Sequence, residues 1–141
     1  MKTKLCLIFS LFCSTYASAG LDIDQGYVRA VPPGKMMSAA FMHLSNNTGQ
    51  TITLIGGTSP NVKAIEVHNH SMVNGVMKMV RIPGLSIEPG KTVILKPGGL
   101  HLMLIGLKRK LNKGESFSFN LQFKNIPAQS IDLPVKSLIA P

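Results

Sequence analysis

The residues best equipped for chemistry lie between His68 and Met103. Met79 follows His68 by eleven positions, His101 follows Met79 by twenty-two, and Met103 closes a His-x-Met triplet. Imidazole and thioether groups that converge from separate segments, with no thiol among them, form the ligand set that a copper(I) ion selects. Zinc prefers thiolate, imidazole and carboxylate, so two methionines argue against it. A blue-copper electron carrier needs a cysteine thiolate, which a thiol-free domain cannot supply.

Whether the domain is thiol-free depends on its first nineteen residues, which read as an export signal. Lys2 and Lys4 make a basic start, Leu5 to Phe12 an apolar stretch, and Ala17-Ser18-Ala19 a small-residue cleavage site. The apolar stretch is too short for a bilayer span, which needs about 20 residues, so an integral membrane protein is not expected. Both cysteines, Cys6 and Cys13, fall within the segment removed. Leu11-Phe12 do not fit the small residues that precede a lipid-modified cysteine. The expected domain is residues 20–141, in which disulfides and thiolate catalysis are excluded. A soft-metal site in an oxidising, periplasmic compartment must then be built from Met and His.

The formal net charge is +9, and loss of Lys2 and Lys4 leaves +7. Such an excess favours acidic partners. Nucleic acid is not expected, since the chain is exported and has only 6% aromatic residues and no Trp to stack bases.

The elements that must position the candidate ligands are strands. Short alternating runs cover 27–31, 38–44, 51–55, 62–70, 76–82, 92–96, 100–105, 116–123 and 130–136, punctuated by Gly, Pro and Asn pairs. Many short strands at this spacing predict an all-β, Greek-key sandwich or barrel. Alternation sets Glu66, His68 and His70 on one face of their strand, opposite Ile65 and Val67. Met77 and Met79 share a face, as do His101 and Met103 between three leucines. Asn74-Gly75 predicts a two-residue type I′ hairpin with Val73 opposite Val76, Met72 opposite Met77, His70 opposite Met79 and His68 opposite Arg81. His68 is then only the diagonal neighbour of Met79, roughly 7–8 Å away. His70, Met72 and Met77 are therefore reserve ligands.

With these residues in place, the chain resembles the PCuAC family of periplasmic copper(I) chaperones. That family's signature is His or Met, ten residues, Met, twenty-one residues, and His-x-Met, which falls on His68, Met79, His101 and Met103 without a gap. With 4 His and 8 Met in 141 residues, this spacing arises by accident on the order of 10⁻⁴ of the time. The flanks Asn74-Gly75-Val76-Met77-Lys78-Met79 and Leu95-Lys96-Pro97-Gly98-Gly99-Leu100 also match, and the resemblance runs from about Tyr27 to Val135. It implies a cupredoxin-like barrel that binds one Cu(I) and passes it to a copper-requiring oxidase subunit, typically the dinuclear copper centre of cytochrome c oxidase. A thiol-bearing assembly factor is the implied second partner. Some members carry a Met- and His-rich tail with further copper sites. This chain ends at Leu138-Ile139-Ala140-Pro141, so a tail site is not expected.

Other residues carry weaker signals. Met36, Met37 and Met42, with Met72 and Met77, form either a thioether rim or ordinary packing. His43 reads as a surface residue. Glu66 reads as a solvated strand residue, with the alternative of an acceptor that orients a ligand imidazole. Lys63, Lys78, Arg81 and Lys108-Arg109-Lys110 would face an acidic oxidase domain, although charge runs are commonly just solvated surface. A copper buffer or resistance protein using the same site is the alternative function. An enzyme is not expected, because the chain offers no clear acid-base set and no His at the predicted new N-terminus.

Overall fold

A computed structural model describes residues 20–137. The export signal, the cut after Ala19 and the last four residues lie outside the described residues. Ten strands run in chain order: β1 (Leu21–Arg29), β2 (Met37–Asn46), β3 (Ile52–Thr58), β4 (Ala64–Val73), β5 (Val76–Arg81), β6 (Leu85–Ile87), β7 (Thr92–Leu95), β8 (His101–Ile105), β9 (Ser116–Phe123) and β10 (Gln129–Lys136). Among the described residues no helix is long and apolar enough to cross a membrane. The expected all-β, cupredoxin-like architecture is the one found.

The strands follow the order β5-β4-β8-β2-β1-β10-β9-β3-β6, and β3 also pairs with β4. That second pairing joins the ends of a seven-strand path, β4-β8-β2-β1-β10-β9-β3, into a closed barrel. Closure occurs where Gly57 of β3 opposes Ile65 of β4. A Cβ on Gly56 would stand 2.5 Å from the Ile65 carbonyl oxygen, and one on Gly57 2.7 Å from that of Asn120. Only glycines let the strands approach there. Inside the barrel lie Val28, Ala40, Met42, Leu44, Leu54, Val67, Leu102, Leu104, Phe117 and Leu121, all essentially without solvent contact.

Two strands depart most from the sequence expectation, beyond end shifts of one to three residues elsewhere. β1 begins at Leu21 rather than at position 27, because a bulge breaks its alternation. Its register with β2 shifts between Asp24 and Tyr27, where Gln25 has a φ of 51°. An extra residue flips which side chains face inward. Leu21 and Ile23 pack toward the core before the bulge, Val28 after it, and Tyr27 and Arg29 turn outward. β6 was not anticipated; it is three residues between two Pro-Gly pairs, too short to show a period.

β2 organises the functional face. Its first half pairs with β8 through Met37–Ile105, Ser38–Leu104, Ala39–Met103 and Ala40–Leu102. Its second half pairs with β7 from Met42–Leu95 to Ser45–Thr92. Pro97-Gly98-Gly99 makes the step between β7 and β8. Phe41 falls at that break, facing outward under the loop.

Candidate metal centre

The hairpin of β4 and β5 has the register expected from Asn74-Gly75: His68–Arg81, His70–Met79, Met72–Met77 and Val73–Val76. Asn74 and Gly75 have φ of 51° and 75°, the paired positive values of a type I′ turn. On its other edge β4 pairs with β8, setting His68 opposite His101 and Glu66 opposite Met103. His68, His70, His101 and Met103 therefore share the outer face of the barrel wall, with Met79 alongside on β5.

The floor of this face is apolar. Phe41 lies 6.4 Å from the His101 ring, centroid to centroid, and is backed by Tyr27 at 5.1 Å. The His68 ring is 6.0 Å from His101, and His70 meets it edge-on at 5.5 Å. A small cavity of about 160 Å³ opens here, walled by Met79, Met103, His70, His101, Phe41 and Arg29. The structure brings His101, Met103 and Met79 to one cavity. The reserve residue His70 stands on its wall, whereas His68 does not line it, its ring lying 6.0 Å from that of His101. Met72 and Met77 lie farther out on the hairpin, both exposed.

His68 and His101 each have one ring nitrogen hydrogen-bonded and one without a protein partner. His101 is only 4% exposed; its Nδ1–H donates to the Gly99 carbonyl at 2.8 Å, which leaves the Nε2 lone pair available. Burial holds its pKa below the usual histidine value, against the opposing pull of the Gly99 carbonyl, and His70, His68 and Arg29 add to the depression. A neutral imidazole is the form that ligates metal. His68 donates from Nε2 to Glu66 Oε2 at 2.9 Å. Its Nδ1 is buried without a hydrogen-bond partner, which costs about 1–3 kcal/mol unless something fills the position.

Glu66 is thus not a merely solvated strand residue. It is half-buried, holds His68 through one oxygen and meets Arg81 Nε at 3.5 Å through the other. Among the described residues no three of His, Cys, Asp and Glu are placed to hold a metal together. Met79 and Met103 are the soft donors beside the imidazoles of this cavity.

The remaining methionines divide. Met42 is 1% exposed and fills the barrel core, so it forms no part of a rim. Met36 and Met37 are exposed. His43 is partly exposed and meets Asp24 at 3.3 Å.

A family model described as "Putative lipoprotein LpqE-like" matches residues 21–135. The chain belongs to the LpqE-like family. One relative, "Putative lipoprotein Lxx21020" of Leifsonia xyli subsp. xyli, is 33% identical over 118 residues, spanning 83% of this chain and 70% of that protein. "Uncharacterized protein RP573" of Rickettsia prowazekii is 29% identical over 70% of this chain and 55% of its own length. Cys13 of this LpqE-like chain lies outside the described residues.

Solved structures share the LpqE-like fold. The copper-bound PCuAC domain of PmoF2 superposes with a TM-score of 0.72 at 22% identity, covering 86% of this chain and 97% of that one. CuI-DR1885 from Deinococcus radiodurans matches with a TM-score of 0.64 at 33% identity, covering 81% of this chain and 76% of that one. Its apo form matches at 28% identity over 99% and 95%, again with a TM-score of 0.64. These neighbours support the resemblance to PCuAC domains.

Proposed function

We propose that this protein is a copper(I) carrier of the periplasm, exported through a cleaved N-terminal signal. It holds one ion through His68, Met79, His101 and Met103 and hands it to a copper enzyme. The observation that carries this reading is the buried, unpartnered Nδ1 of His68, opposite an imidazole whose own Nδ1 is tied to a backbone carbonyl. Two neutral imidazoles and two thioethers give soft, uncharged ligation suited to Cu(I). Binding releases no thiol proton, so affinity does not depend on thiolate formation. Two structural neighbours, the PmoF2 PCuAC domain and CuI-DR1885, are copper-bound forms.

Exposure favours delivery over storage. Met79 is 53% exposed on a strand that pairs only with β4, so an incoming ligand reaches copper from the solvent side. The recipient that the PCuAC resemblance implies is the dinuclear copper centre of cytochrome c oxidase, with a thiol-bearing assembly factor as second partner. Titration of the purified protein with Cu(I) against a chromogenic chelator should give one tight equivalent, and failure to bind ends the proposal. Transfer to the apo copper domain of the oxidase then separates a carrier from a buffer, which would keep its metal.

A further inference from the structure

A second cavity, larger than the one beside His101, opens elsewhere on the described residues. It measures about 580 Å³ and lies between the loop before β2 and the loop after β8, lined by Lys35, Lys63, Lys108, Arg109 and Lys110 around Met36 and Leu107. No acidic residue lines it. Among the described residues only Arg109 of these five makes a salt bridge, to Glu115 at 2.9 Å. The walls are fixed by backbone hydrogen bonds: Leu107 N–H donates to Met36 O at 2.9 Å, Val31 N–H to Leu111 O at 3.2 Å, and Lys108 N–H to Asn61 O at 2.9 Å. Gly106, with φ of 67°, leaves room for the Lys63 stem, since a Cβ there would lie 2.6 Å from that of Lys63.

This basic cavity joins the candidate metal centre. A third cavity, of about 390 Å³, shares Pro32 and Lys35 with the basic one and Arg29 with the cavity beside His101. Met37 lines it too. Arg29, Lys35, Lys63, Lys108 and Lys110 therefore mark one continuous cationic track that starts at the wall of the metal cavity.

We propose that this track is the docking surface for an acidic segment of the protein that exchanges copper with this one. A row of like charges along cavities that no acidic residue lines is matched by carboxylates, which raise the encounter rate and fix orientation. A partner whose acidic segment lies along the track is aligned with Met79 and Met103, where its own metal ligands meet the copper. The role of the partner rests on the copper-carrier reading; the track itself does not, and it is tested on metal-free protein.

The probe is a short fluorescein-labelled peptide of alternating Glu and Gly, its binding followed by anisotropy. Lys63→Gln with Lys108→Gln should weaken binding about tenfold, whereas Lys91→Gln with Lys124→Gln, removing the same charge elsewhere, should change it by less than about twofold. Raising salt to about 0.5 M should abolish the difference. Equal losses in the two variants would mean that net charge alone attracts the peptide, overturning the proposal. Displacement of the peptide by phosphatidylglycerol vesicles would overturn it in favour of a membrane surface. A protein that binds the peptide but takes up no Cu(I) would remove the copper reading and leave the track standing.

Discussion

His68 and His101 are register partners across β4 and β8, their rings 6.0 Å apart, and each has one nitrogen engaged by a short-range acceptor. The free nitrogens are Nδ1 of one and Nε2 of the other. His101→Ala is expected to weaken Cu(I) binding by more than the 10–100-fold typical of a supporting residue, and His68→Ala to weaken it more than His70→Ala. Chelator competition on the three variants decides this. Equal losses at His68 and His70 would move the ligand assignment to the residue on the cavity wall.

Glu66 fixes which nitrogen of His68 carries the proton. Glu66→Ala is expected to lower Cu(I) affinity about tenfold and to mix the two His68 tautomers in the metal-free protein. Imidazole ¹⁵N shifts report that mixture directly. An unchanged tautomer ratio would assign Glu66 to the Arg81 ion pair alone.

Met79→Leu and Met103→Leu should each preserve the fold and cost about tenfold in affinity. X-ray absorption at the copper edge should lose one sulfur neighbour in each variant. Met42→Leu, in the barrel core, should leave the copper spectrum unchanged and alter stability by less than about 1.5 kcal/mol.

Asn46 is buried and uses its whole amide. Nδ2 donates to Gln50 O and Ile87 O at 2.8 and 2.7 Å, and Oδ1 accepts from Thr48 N–H at 2.9 Å. Asn46→Ala leaves two carbonyls without these donors and is expected to cost about 2 kcal/mol, measured by urea unfolding.

Glu115 carries a pH dependence. The Asn112 amide, then Arg109, hold its carboxyl below the ordinary value of 4.5. Its folded pKa is depressed, so its stabilisation is present above the unfolded value and is lost as pH falls through the folded one. Glu115→Gln should lower the Tm at neutral pH, and the two proteins should converge in acid, once the pH has fallen below the depressed folded pKa.

The hairpin was legible because its register depends on local chemistry. Asn74-Gly75 fixes the turn, and alternation fixes the face, so His70–Met79 and His68–Arg81 follow from the sequence. The pairing of His68 with His101 was not legible, because it depends on the register between β4 and β8, which no turn sets. The sequence leaves Met42 open between rim and packing for a related reason. β2 is covered on both faces, by the barrel core on one side and by the floor of the site on the other, so Ala39, Ala40, Phe41, Met42 and Leu44 form an apolar run without a readable period. The track from Arg29 to Lys110 was only partly seen, as Lys63 and the 108–110 run. Its continuity depends on the bulge that turns Arg29 outward.

Because β5 pairs with β4 alone, the site has two mechanical halves. His101 and Met103 move with the barrel, while Met79 moves with a hairpin whose far edge is open. On the copper-carrier reading, exchange with an acceptor would then have an order: the hairpin sulfur would detach first, the acceptor's ligand would take its place, and the imidazoles would let go last. Clamping the hairpin to the barrel should therefore slow transfer without changing equilibrium affinity to the same degree.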